Sequence, residues 1–172
     1  MADRPRGRLL VFIDANVLIR GLTLPRFPYE ILRAGALSRV RLVTSRTTLA
    51  KARYYIEMRF PSHLERFDRF LDTSVIAVVE DPSQETVCMH PDLVRDEDDV
   101  PVALAAIQAG AQYLVSTDPD LTVVDKSTVE LRRRITPIRP GDFLKEVLGW
   151  TSTELSRIER RTWEALEAEE GE

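Results

Sequence analysis

The patterned part of the chain begins with Leu9-Leu-Val-Phe-Ile13, five apolar residues in a row without helical spacing. Such a run suits a strand covered on both faces. It stops abruptly at Asp14-Ala-Asn16, after which a further apolar segment, Val17–Leu22, follows. Pro25 and Pro28 break the chain, Tyr29–Leu37 reads as a short helix, and Arg41–Thr44 as a second strand. Ser45 is placed to cap a long helix from Arg46 to about Phe60, closed by Pro61. His63–Phe70 reads as another helix, since Leu64, Phe67, Phe70 and Leu71 recur at helical spacing. Val75–Val79 is a third strand.

A less regular stretch through Pro82, Pro91 and Leu93 leads to Asp96-Glu-Asp-Asp99. Val100–Ala109 is small and apolar almost all round, which predicts a buried helix ended by Gly110. Tyr113–Ser116 is a fourth strand. A loop follows Thr117-Asp-Pro-Asp120, then a short strand near Arg134–Thr136 and a helix around Asp142–Leu148. Thr151 and Glu154 are spaced as a capping box for a helix running to about Glu167. Its apolar positions, Leu155, Ile158, Trp163 and Leu166, predict that it docks on the domain or is held by a partner. Strands alternating with helices predict an α/β fold, a central parallel sheet flanked by helices on both faces. The organisation is a flexible lead-in over 1–8, one domain over 9–148 and a C-terminal helical extension over 149–172.

At 172 residues the chain can bury a sizeable core unaided. Its single cysteine, Cys88, excludes an internal disulfide and a cysteine metal cluster, and points to a reducing, cytoplasmic setting. Cys88 itself is expected as a buried apolar filler. No apolar run approaches the length of a membrane span. The net charge of −4 conceals an asymmetry: Arg26–Arg69 holds ten Lys/Arg against four Asp/Glu, and Asp72–Asp120 holds one against eleven. An acidic chain does not coat nucleic acid non-specifically, but an acidic pocket beside a basic surface is compatible with that balance. Arg46–Arg59 and Arg132-Arg-Arg134 read as solvated or edge-guarding charge, and Tyr54 and Tyr55 as core packing.

The acidic residues have an order of their own. In an open parallel sheet, ligands collect beyond the carboxyl ends of the strands. Asp14 ends the first strand, Asp118 follows the fourth, Asp120 lies two residues beyond, and Asp99 opens the buried helix leading into the fourth strand. Each is also a competent turn or cap residue when taken singly. Together they place carboxylates from three distant segments at one sheet edge. Packed carboxylates repel unless protonated or bridged by a cation. Hard ions such as Mg²⁺ or Mn²⁺ suit all-oxygen ligands and activate water for phosphodiester hydrolysis.

Val11-Phe-Ile-Asp-Ala-Asn-Val-Leu-Ile19 resembles the opening of PIN-domain proteins, a hydrophobic run followed by Asp-x-Asn and more hydrophobics. The block from Asp96 and Asp99 through the alanine-rich helix, Gly110-Ala-Gln-Tyr113 and Thr117-Asp-Pro-Asp-Leu121 is similar to the family's second half. Ile135-Thr-Pro-Ile-Arg-Pro-Gly-Asp-Phe-Leu144 resembles its closing strand, loop and helix, so the likeness covers roughly Leu9 to Leu148. It implies a Mg²⁺/Mn²⁺-dependent endoribonuclease, often the toxin of a two-gene toxin–antitoxin pair, with RNA, an antitoxin and a second copy of the chain as partners. Carried over by position, Asp14, Asp99 and Asp118 are the catalytic, metal-binding carboxylates, and Asp120 a direct or water-mediated ligand. Asn16 supports the first loop, Ser116 or Thr117 steadies the phosphate or a metal-bound water, and Asp96 is accessory.

Two departures from that pattern matter. The family's usual acid early on the helix after the second strand is absent, and Lys51 stands near its place. Lys51 has three open roles: neutralising the carboxylates in a metal-free site, contacting the scissile phosphate, or simply lying exposed. The first would make the chain a PIN-fold module that binds RNA or protein without cutting. Thr117 also replaces a customary glycine, which restricts positive φ before Asp118. A phosphatase of the haloacid dehalogenase type needs an aspartate where Asn16 stands, and is set aside.

Overall fold

The computed structural model describes residues 7–171, so residues 1–6 of the expected lead-in lie outside the described residues. Five strands, β1 (Leu10–Ile13), β2 (Arg41–Ser45), β3 (Ile76–Val79), β4 (Tyr113–Val115) and β5 (Thr136–Ile138), form one wholly parallel sheet in the order β3-β2-β1-β4-β5. The order reverses direction between β1 and β4, so a crevice opens there at the carboxyl edge.

Period-two alternation divides the core in two. Val11 and Ile13 of β1, Leu42 of β2 and Val115 of β4 face one layer, and Phe12, Val43 and Leu114 face the other. The first layer is covered by α1 (Ala15–Thr23), α2 (Phe27–Ala36), α3 (Arg46–Arg59) and α4 (Leu64–Asp72). A short α5 (Gln84–Cys88) and a 3-10 turn over Glu97–Asp99 lead into α6 (Val100–Gln108), which covers the second layer. Small residues let α6 lie close: Ala103, Ala105 and Ala106 are all buried, and Gly110 ends the segment at φ +77°. Ser45 caps α3, accepting from the Thr48 amide.

Several elements differ from expectation, each for a physical reason. The irregular stretch contains α5, and the loop after Asp118 contains α7 (Pro119–Thr122) and α8 (Val129–Arg132). These helices are four or five residues long, too short for periodicity to register, and their Ser83 and Asp118 caps read in sequence as turn chemistry. The closing strand lies two residues later than expected, because Ile135 is buried beneath α8 instead of pairing. Pro137 is tolerated in β5 because that strand is the sheet edge. The expected helix around Asp142–Leu148 is α9 (Pro140–Asp142) running into a π-type turn over Phe143–Val147. Cys88 is exposed rather than buried. Tyr54 and Tyr55 are likewise out of the core, at 65% and 44% exposure.

The C-terminal segment is two helices, α10 (Ser152–Ile158) and α11 (Trp163–Glu170), instead of one. The capping box of Thr151 and Glu154 forms in full. The break follows from Arg161, which turns inward: Nε donates to Pro25 O at 2.7 Å and Nη2 to Glu30 Oε1 at 2.7 Å. Trp163 donates to Thr23 O at 3.0 Å, with the Arg66 guanidinium 3.7 Å above its ring. Ile158 and Leu166 are buried, so the tail docks on its own domain. No helix among the described residues is long and apolar enough to cross a membrane.

Candidate active site

Asp14 follows β1 directly, and its amide donates to Val115 O at 3.1 Å, continuing the pairing of β1 with β4. The carboxylate is therefore carried at the crevice where the sheet order reverses. It is only 9% exposed. Oδ1 accepts from the Ala15 amide at 2.7 Å, and Oδ2 accepts from the Ser116 hydroxyl at 2.7 Å and from Asn16 Nδ2 at 3.3 Å. Burial pushes its carboxyl above the ordinary range, aided by Asp118, while the Ser116 and Ala15 hydrogen bonds and the Lys51 ammonium pull the other way.

Ser116 is fully buried, and its hydroxyl accepts from the Asp118 amide at 3.0 Å while donating to Asp14. It holds two carboxylate-bearing segments together with its hydroxyl engaged inside the protein, which leaves Thr117 as the other residue expected to steady a phosphate or a metal-bound water. Asn16 completes the tie, since its Oδ1 accepts from the Thr117 amide at 3.1 Å. Thr117 is not among the residues at positive φ, and the substitution for glycine leaves the turn into Asp118 unstrained.

Asp99 occupies the cap position of α6 but makes no capping hydrogen bond. An aspartate there ordinarily satisfies a helix amide. Instead Oδ2 is buried without a hydrogen-bond partner, the one such buried side-chain atom among the described residues. Desolvation, followed by the charge of Asp118, then Asp96 and Asp14, raises its pKa to about 7. The buried oxygen therefore meets neighbouring negative charge and no donor. An all-oxygen set with an orphaned carboxylate oxygen fits a hard divalent cation.

Asp14, Asp99 and Asp118 line one cleft of about 640 Å³ together with Asn16 and Lys51. Lys51 is exposed on the cleft wall and makes no ion pair with these carboxylates among the described residues. It does not neutralise the acidic group by insertion, and it stands close enough to influence Asp14. Asp120 and Asp96 sit to one side. Their carboxylate oxygens and those of Asp99 lie within 4.8 Å of one another, and Asp120 pairs with Arg95. Asp99 thus bridges the cleft group and this outer acidic group.

Two further acids line the cleft, Asp98, considered in sequence only as a helix cap, and Asp81, which escaped the sequence reading. Asp81 accepts from the Thr47 amide at 3.2 Å and places negative charge at the start of α3, where the helix has no acid of its own. The signal was available: Asp81 follows β3 by two residues, the placement that made Asp118 a candidate.

A PIN domain family model matches residues 10–120. Among solved structures, PAE2754 from Pyrobaculum aerophilum is similar at 18% identity and TM-score 0.49, over 83% of this chain and 97% of that one. VapBC2 from Rickettsia felis, bound to a DNA fragment from its promoter, is similar at 15% identity and TM-score 0.49, over 76% and 98%. No curated protein matches the sequence. The family match spans well over half the chain and includes the segments that carry Asp14, Asp99 and Asp118, and the chain belongs to the PIN-domain family.

Proposed function

We propose that the protein is a divalent-metal-dependent endoribonuclease, serving as the toxin of a toxin–antitoxin pair. The observation that carries the chemistry is the buried, unpartnered Oδ2 of Asp99, set beside Asp118 and Asp14 at the carboxyl edge of the sheet. Asp14, Asp99 and Asp118 are the residues to hold Mg²⁺ or Mn²⁺, with Asp120 acting through water because Arg95 already engages it. When bound, the cation would lower the pKa of a water and offset charge on the scissile phosphate.

The rest is done by the chain. Ser116 and Asn16 fix the Asp14 carboxylate in one orientation. The Asp118 carboxylate is aimed by its own cap, Oδ1 accepting from the Asp120 amide at 2.9 Å. Asp99 offers its unpartnered Oδ2 to the site. Lys51 presents its ammonium to the phosphate as a point charge from the cleft wall. The antitoxin and a homodimer are parts of this reading that rest on the family, and the tail, which packs on its own domain, is no part of that argument.

The test is Mn²⁺ titration by calorimetry together with cleavage of labelled RNA by wild type and Asp14→Asn. Wild type is expected to bind the ion and cut, and the variant to lose both. Cleavage that survives in the variant, or wild type that binds no Mn²⁺, overturns the proposal. A second reading, a module that binds RNA or protein without cutting, draws on α3, which lines the cleft with Thr47, Thr48 and Lys51 and no acid. Ser116→Ala is expected to weaken Mn²⁺ binding about 10–100-fold, the usual cost of losing a group that orients a ligand. The same calorimetry checks it, and unchanged affinity would remove Ser116 from the site.

A further inference from the structure

Beside the acidic cleft lies a second groove of about 400 Å³ whose chemistry is opposite. Arg20, Arg26 and Arg139 line it, and Arg20 and Leu24 line the acidic cleft as well, so the two concavities are continuous. Thr117, the residue before Asp118, is also in its wall.

The three guanidinium groups have no ion-pair partner among the described residues, in contrast to Arg46, Arg53, Arg69, Arg95 and Arg133. Asp142 and Glu159 line the same groove but form no ion pair with them among the described residues. Two of the three are held in place through neutral acceptors. Arg26 Nε donates to Arg161 O at 3.3 Å, and Arg139 Nη2 donates to Thr117 O at 3.4 Å. Each anchor uses one of five N–H donors and leaves the others for a ligand. Arg20 has a second use in the last turn of α1, where a cation favours the helix end. That use explains neither Arg26 nor Arg139, which come from a helix entry and from the end of β5.

We infer that this groove binds the phosphodiester backbone of the substrate strand next to the scissile linkage, so that the substrate class is a polynucleotide strand running from the arginines onto the carboxylates. The inference rests on the ribonuclease reading. Guanidinium forks match phosphate oxygens. They also place positive charge beside an acidic cleft whose carboxylates would otherwise repel an approaching strand. Several phosphates must be engaged at once, so an oligonucleotide is a better substrate than a dinucleotide.

The test uses the full chain in EDTA, with fluorescence anisotropy of a labelled twelve-nucleotide single-stranded RNA across a KCl series. The triple variant Arg20→Ala, Arg26→Ala, Arg139→Ala is expected to bind about 10-fold or more weakly at 100 mM salt. Its slope of log K against log salt should be shallower by about 2, three phosphate contacts at about 0.7 each. The corresponding triple lysine variant should keep most of that slope. Arg133→Ala with Arg134→Ala, which removes two arginines paired to Glu130, is expected to leave affinity and slope unchanged. Thermal melts confirm that each variant is folded. Unchanged affinity in the triple alanine variant, or an equal loss in the Arg133/Arg134 control, overturns the groove, and Mn²⁺-dependent cleavage by wild type then still decides the nuclease. Loss of RNA binding in the triple variant, with no cleavage by wild type, upholds the groove and overturns the nuclease.

Discussion

Replacing Asp99 with Asn is expected to abolish Mn²⁺ binding and cleavage, and at the same time to stabilise the metal-free protein at pH 8. Asp99 ionises at about 7 in the folded chain, against about 4 when unfolded. The folded state therefore holds the proton more tightly. The stability that this proton confers is complete below about pH 4 and is lost as pH rises through 7. An asparagine is neutral at every pH, so it carries neither the desolvation cost nor the repulsion from Asp118 that the ionised carboxylate meets. In EDTA the variant and wild type should melt together at pH 4 and separate as pH rises. By pH 8 the gain should be roughly 1–2 kcal/mol, allowing for solvent at this half-buried side chain. That corresponds to about 3–6 °C in Tm for a chain of this size. The loss in ion affinity should be about 100-fold or more, exceeding the effect of removing an orienting neighbour. A variant that melts below wild type at pH 8, or a gap that opens as pH falls, would show that Asp99 is not held against its ionisation.

The second large effect lies far from the cleft. Arg161→Ala is expected to destabilise the protein by about 3–5 kcal/mol, measured by urea unfolding. Arg161 and Glu30 are each 5% exposed at the side chain and meet at 2.7 Å. Truncating the arginine leaves the Glu30 carboxylate buried and also orphans Pro25 O. Arg33, 3.7 Å from Glu30 but 44% exposed, offers partial replacement and sets the loss toward the lower end. Replacing both members with apolar residues, Arg161→Met with Glu30→Leu, should recover most of the loss, because no charge is then stranded. A single variant as stable as wild type would mean that the buried Arg161–Glu30 pair does not hold the tail to the fold.

What could be read in advance was what neighbours in the chain decide. The unbroken run at β1, the caps at Ser45 and Thr151, and Gly110 beyond α6 all depend on residues within a few positions, and all stand where expected. Asp14 was legible because an apolar strand ends on it. Where distant parts meet, the reading failed. Arg161 looks like any tail arginine until Glu30 is placed against it, and only then does the break between α10 and α11 make sense. Pro137 argues against a strand unless the strand is known to be an edge. Sequence alone left Ser116 and Thr117 equal candidates for steadying a phosphate or a metal-bound water; only the fold shows the Ser116 hydroxyl tied between Asp14 and the Asp118 amide. Asp81 was missed because the strand-end rule was applied to β1 and β4 and not to β3.

The tie between Asp14 and Ser116 joins positions 102 apart. A nascent chain that has emerged only as far as β3 therefore exposes the aspartate that ends β1 but none of its companions. Pairing of β4 with β1 is the event that gathers them, and it waits until most of the chain has emerged. Nascent fragments that stop short of β4 carry no assembled cluster, because the partner strand that gathers it is missing.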